Sequence, residues 1–140
     1  MAINDVRHEL IVPKWDNSGR KIKAEEIEDI AKKMANRFGG VTITPSVLGC
    51  WVSKETDSLI CEENTIFSSV RDSESVDNFE RRKVEDLEFM KNLAKELGVK
   101  FGQEAIMSSE DVVEVRFIEG RFKKELEEDK LGVNWFKKML

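Results

Sequence analysis

Two cysteines, one histidine and a pair of adjacent glutamates are the residues of this chain whose types and spacing could do chemistry. Cys50 and Cys61 are the only cysteines and His8 is the only histidine. Trp51 follows the first cysteine, and Glu62 and Glu63 follow the second. Between them lies Lys54-Glu55-Thr56-Asp57, short and polar. If those four residues turn a hairpin, Ser53 stands opposite Ser58, Val52 opposite Leu59, Trp51 opposite Ile60 and Cys50 opposite Cys61. The thiols would then form a cross-strand pair with Cβ atoms about 4.5–5.5 Å apart. Such a pair could hold zinc with His8 or a glutamate, or close a reversible disulfide. The plainer reading is two small apolar side chains in the core, reduced because no secretory leader is visible. No C-x-x-C or H-x-x-H spacing is present, so no metal and no other cofactor is expected. Were a metal held, Cys50, Cys61 and His8 would be its donors.

A carboxylate beside an indole titrates high and can move protons near neutral pH. Glu62 and Glu63 are therefore the catalytic candidates, in a pocket near Trp51. The alternative makes one of them a solvated edge residue and the other the ion-pair partner of Arg71 or Arg116, since charged side chains are mostly exposed. Glu114 and Arg116 alternate with Val113, Val115 and Phe117, so they are expected on an open sheet face. There, with Trp51, they are candidates for contact with a ligand or a second chain.

The elements that must position these residues follow from periodicity. Residues 6–15 carry the run Leu10-Ile11-Val12, as in a central strand covered on both faces, and Asp16-Asn17-Ser18-Gly19 reads as a turn. From Lys23 to Phe38, residues Ile27, Ile30, Ala31, Met34 and Phe38 form one helical stripe, with acidic residues early and basic ones late, as the helix dipole favours. Gly39-Gly40 ends that helix. Val41–Val52 and Leu59–Val70 are the two hairpin strands, and a bulge or bend is expected between Pro45 and Gly49. Arg71–Asn78 is a polar loop. A second helix is expected from Phe79 to Leu97, with Val84, Leu87, Met90, Leu93, Ala94 and Leu97 as its stripe and Gly98 as its stop. Residues 99–108 and Val112–Ile118 are expected to be two strands around a turn at Ser109-Glu110-Asp111. A short charged helix and an aromatic tail with Trp135 and Phe136 complete the chain.

Composition narrows the class. The chain has 140 residues, 40% of them hydrophobic and 36% charged, with a net charge of −5. That is a globular domain with a core of its own. The acidic balance argues against nucleic acid as a partner. No apolar run approaches the length of a membrane span, so no membrane is expected and the location is read as cytoplasmic. There is no phosphate-binding G-x-x-x-x-G-K-S/T loop, no G-x-G-x-x-G and no G-x-S-x-G elbow, which sets aside P-loop hydrolases, dinucleotide folds and α/β-hydrolases.

The order of elements is β-α-β-β-α-β with an extra C-terminal strand and tail. Two helices with one apolar stripe each can cover one face of an antiparallel sheet, a two-layer α+β sandwich. Arg37-Phe38-Gly39-Gly40-Val41-Thr42, then Gly49 and Trp51, Glu62-Glu63, and Phe101 with Gln103-Glu104 make the chain similar to small ferredoxin-like domains. The resemblance spans about two thirds of the chain. With the element order, for which the split βαβ ferredoxin-like plan is the economical arrangement, it gives a ferredoxin-like domain over 1–120; the order adds a helical tail over 121–140 that packs on the domain or on a partner chain. Related plans host dimeric small-molecule enzymes, haem-degrading monooxygenases, metal-binding regulators and nucleotide-binding modules, so the resemblance implies fold and leaves function open. The function best supported by the residues is a binding or assembly module that self-associates as a homodimer. A small-molecule enzyme with its pocket near Trp51 and Glu62, and a thiol-based metal or redox site, stand as alternatives.

Overall fold

A computed structural model describes residues 3–71 and 78–120. Its elements are β1 (Ile3–Pro13), α1 (Ala24–Phe38), β2 (Thr42–Val52), β3 (Leu59–Val70), α2 (Phe79–Phe101) and β4 (Met107–Val115). The expected tail over 121–140 lies outside the described residues.

Helix α1 begins where Glu26 turns back to accept the backbone N–H of Lys23, at 3.1 Å, which satisfies one of the orphan donors of a helix start. It ends at Gly39, whose φ of 96° is left-handed and whose N–H donates to the Ala35 carbonyl. The stripe Ile27, Ile30, Ala31, Met34 and Phe38 is buried throughout. Helix α2 buries Met90, Leu93, Leu97 and Phe101. Both stripes join one core with Leu10 and Val12 of β1 and Phe67 of β3, so the two helices lie on the same side of the sheet.

The sheet is antiparallel and open, in the order β2-β3-β1-β4. Strands β1 and β3 occupy the middle, but only one face is covered: Leu10 and Val12 join the core beneath the helices, while Ile11, on the other face, is half-buried. The hairpin register is the one read from the turn: Cys50 pairs with Cys61, Trp51 with Ile60 and Val52 with Leu59. A register shift between Thr44 and Val47 places the bulge where Pro45 requires it, and Ser46 takes a φ of 83° there.

Two expectations are corrected. Helix α2 does not stop at Gly98 but runs to Phe101 and ends on Gly102, φ 63°. Phe101 continues the buried stripe one turn further, and that burial outweighs the helix-breaking tendency of a single glycine. Residues 99–108 and 112–118 are not two strands. One strand, Met107–Val115, passes through Ser109, Glu110 and Asp111, because β1 supplies a continuous ladder there, with Glu9 opposite Ser109 and Arg7 opposite Asp111. The Arg7 guanidinium donates to both Asp111 oxygens, at 3.1 and 2.8 Å. The polar triplet is thus an edge strand's solvent-facing chemistry rather than a turn. The extra C-terminal strand disappears with it.

A candidate ligand cleft backed by a buried polar cluster

Along β1, Val6, His8, Leu10 and Val12 are all buried. His8 breaks an apolar series that points at the helices. It is only 1% exposed, and its ring stacks on Phe38 of α1 at 4.8 Å between centroids. Its Nδ1 lies 3.9 Å from a Glu110 oxygen, too far for a hydrogen bond, and has no hydrogen-bond partner among the described residues. Burial pushes the imidazole pKa below its ordinary value. The carboxylates of Asp86, Glu110 and Asp5 pull it back up, and the Arg71 guanidinium adds to the lowering. The ring is therefore neutral at pH 7.

Around it sits an ionic clamp. Asp86 of α2 is 3% exposed and accepts from Arg37 Nε at 3.0 Å and Arg71 Nε at 2.9 Å, with a second, short bond from Arg71 Nη2. Hydrogen bonding to Asp86 holds the Arg71 guanidinium above its already high pKa. Arg71 lies over the Phe38 ring and Arg37 over Phe89. Asp5, also buried, accepts from Arg82 Nη1 at 3.4 Å and from the Val6 N–H at 2.8 Å. The end of α1, the first half of α2 and the exit of β3 are thus tied by charge through one low-dielectric spot. Removing one member of such a set leaves another buried and unpaired.

In front of this cluster opens a cleft of about 460 Å³, lined by Gly39–Thr42, Ser68–Val70, Val115 and Phe117. Ser69 connects the two. It is the register partner of His8, it lines the cleft, and its Oγ donates to the Gly40 carbonyl at 2.7 Å. The walls are the apolar Val41, Val70, Val115 and Phe117. The polar groups on offer are the Thr42, Ser68 and Ser69 side chains and the Gly39-Gly40 backbone. Among the described residues, no ionised side chain lines the cleft. A smaller cleft, about 320 Å³, lies by the end of α2 between Ala94, Gly98, Val99 and Gln103–Ile106.

The residues singled out by sequence are placed elsewhere. Cys50 and Cys61 are exposed and joined in a disulfide. The expectation of two reduced, core-packed thiols is corrected: the hairpin projects past the helices, so no core reaches the sulfurs. Closed in a disulfide, they offer no thiolate to a metal. His8, in β1, pairs with Ser69 at the other end of β3 and does not approach them. Among the described residues no group of three or more His, Cys, Asp or Glu side chains is arranged to hold a metal ion. Trp51 and Glu62 are exposed on one face of the hairpin, and Glu63, 55% exposed on the other, pairs with Lys14 at 3.2 Å. Neither cleft is lined by Trp51, Glu62 or Glu63. Arg71 pairs with Asp86 and Arg116 with Glu114, rather than either with a hairpin glutamate. The ladder sets Glu114 opposite Asn4 and Glu110 opposite His8, so Glu114 lies on the helix side of the sheet, the reverse of the open face expected for it.

Asp86 was the signal that sequence reading missed. It stands in phase with Met90, Leu93, Leu97 and Phe101, one acidic residue on an otherwise apolar stripe, while Val84, expected in that stripe, is exposed. An acid on the buried face of a helix must find cations, and three arginines converge on this end of the fold.

No family model matches the chain, and no curated protein does. Solved structures do. A phage SAM lyase in complex with S-methyl-5'-thioadenosine superposes with a TM-score of 0.50 at 14% identity, covering 79% of this chain and 88% of that one. A phage SAM lyase in the apo state gives a TM-score of 0.50 at 15% identity, covering 86% of this chain and 94% of that one. At such identity the likeness shows the fold alone. No helix among the described residues is long and apolar enough to cross a membrane.

Proposed function

We propose that this chain is a small-molecule-binding module on the ferredoxin-like plan, with its ligand seated in the cleft between Gly39–Thr42, Ser68–Val70, Val115 and Phe117. The observation that carries the reading is the cleft itself. Its volume falls in the usual range for ligand sites, and its lining is apolar with three hydroxyl-bearing residues, Thr42, Ser68 and Ser69. The clamp behind it fixes the walls: Phe38, which leads into Gly39-Gly40, is held by His8 on one side and Arg71 on the other. A strand order with β1 and β3 in the middle supports the ferredoxin-like plan.

The described lining, apolar side chains with hydroxyls among them, suits an uncharged ring compound better than a phosphate, which needs cations or a helix N-terminus. S-methyl-5'-thioadenosine, the compound held by the phage SAM lyase, has that chemistry and is the first compound to try. Titration calorimetry with S-methyl-5'-thioadenosine, and with adenosine 5'-monophosphate as the charged control, tests the reading. The neutral nucleoside is expected to bind, and Val115→Trp, which fills the cleft, to weaken it at least tenfold, about 1.4 kcal/mol. Equal binding by wild type and Val115→Trp, or no heat with any nucleoside at millimolar concentration, overturns it.

One further observation favours self-association. Trp51 and Ile60 are large apolar residues that stand opposite each other, exposed, on the hairpin face away from the disulfide, and exposed apolar surface of this kind marks contact sites. Light scattering behind size exclusion distinguishes a homodimer from a monomer. A monomer at the highest soluble concentration removes this reading and leaves the cleft untouched.

A further inference from the structure

We propose that the Cys50–Cys61 disulfide is a reversible exchange site, where the folded protein accepts two electrons from an external dithiol. Both residues are exposed, and they are 11 positions apart in sequence. They already face each other in a ladder running from Leu48↔Glu63 to Val52↔Leu59. The turn above them is closed by backbone bonds from Ser53 to the Ser58 carbonyl and from Asp57 to the Ser53 carbonyl, both 2.8 Å. The cross-link therefore holds together nothing that the ladder and turn do not already hold. Neither cysteine belongs to the core cluster. A structural disulfide ties distant segments and is shielded; an exposed one is labile and open to regulation or catalysis.

The surroundings favour attack by an anion. Leu48, Val52 and Leu59 share the disulfide's face, all exposed and uncharged. Glu63, the carboxylate diagonal to the sulfurs on that face, is matched by Lys14 at 3.2 Å. An incoming thiolate thus meets an apolar, accessible approach with the neighbouring negative charge offset. In the first step, a thiolate of the dithiol bonds to one cysteine sulfur, the S–S bond breaks, and the other cysteine leaves as a thiolate and takes a proton. In the second, the remaining thiolate of the reductant attacks the mixed disulfide and displaces the second cysteine. The reductant ends as its disulfide and the protein as a dithiol. The partner class is therefore a dithiol, a protein C-x-x-C pair or a small molecule such as dithiothreitol.

The test uses the full chain purified without reductant. Dithiothreitol is added in native buffer, thiols are trapped by alkylation and counted by mass, and circular dichroism is followed in parallel. The expected result is two new thiols per chain, with the rate rising in proportion to dithiothreitol and the helical signal unchanged. That rate should lie within about tenfold of the rate in denaturant, as for an accessible sulfur. Trp51, beside Cys50, is expected to change emission on reduction, and Trp51→Phe to lose that change. Reduction that is independent of dithiothreitol concentration, and so waits on unfolding, overturns the proposal. So does a purified protein with two free thiols that oxidised glutathione does not close. Cys61→Ser supplies the control: it leaves one thiol, which should take up a single glutathione while the chain stays folded.

Discussion

One face of one strand runs from solvent to the core within a few residues. Along β3, Cys61 and Glu63 are exposed, whereas Thr65, Phe67 and Ser69 on the same side are buried. At the covered end, the helices close over His8, Asp86 and Arg71, and each polar group takes its state from its buried neighbours. At the projecting end, the same ladder carries a disulfide and a lysine–glutamate pair in water. The comparison teaches that coverage, not residue type, decides what a side chain can do here. A histidine kept neutral and an aspartate held by two arginines belong where water is excluded, and exchangeable sulfurs belong where it is not.

The sharpest way to break this comparison is to remove the anchor of the covered end. Asp86→Ala leaves Arg37 and Arg71 without their shared partner, and the expected cost is about 3–5 kcal/mol, read from urea denaturation. The Cys50→Ser/Cys61→Ser double variant should cost less, below about 3 kcal/mol. A reversed order would mean that the hairpin, not the clamp, holds the fold together.

Leucines at the two ends give the next largest contrast. Leu10 is fully buried and Leu48 is 66% exposed. Leu10→Ala is expected to cost about 2–5 kcal/mol, and Leu48→Ala to stay within about 0.5 kcal/mol. Equal costs would show that the disulfide face of the hairpin, which carries Leu48, is covered in solution.

Gly49 probes the junction between the two ends. A Cβ there would lie 3.0 Å from Asn64 Nδ2, the buried amide that donates to the Glu62 carbonyl at 3.1 Å. Gly49→Ala should destabilise by about 1 kcal/mol, the low end of overpacking, with the disulfide still formed by mass.

The smallest effect is a slope with pH. Burial holds the folded pKa of His8 below its ordinary value, so the unfolded chain binds the proton first. Stability is then full above the unfolded value and falls as pH drops below it, toward the folded value. Comparing urea midpoints at pH 7 and pH 5 for wild type and His8→Gln isolates this slope from that of the carboxylates, such as Asp16, held down to about 2 chiefly by the Ser18 hydroxyl. An identical slope in both proteins would show that His8 is not shielded.

How much of this was legible in the sequence depends on whether the cause was local. The hairpin register was, because Lys54–Asp57 admits one loop length and the pairing follows from it. So was the α1 stripe. The limits of α2 and β4 were not, since Gly98 and Ser109–Asp111 signal breaks that burial of Phe101 and pairing with β1 override. The cleft was not legible either: its lining comes from three separated segments. The clamp left one trace, Asp86 on an apolar stripe, but Arg37 and Arg71 gave no sign that they were its partners.

The bulge at Pro45-Ser46 has a consequence for the sulfurs. Below it Thr44 stands opposite Ile66, and above it Val47 stands opposite Asn64. Carried upward unbroken, the lower phase would bring Gly49 against Cys61 and Cys50 against Ile60, turning the two sulfurs to opposite sides of the ribbon. The kink therefore works as a one-residue frame shift: deleting Ser46 would force β2 to keep either its seat beside the core or its sulfur bond, and give up the other.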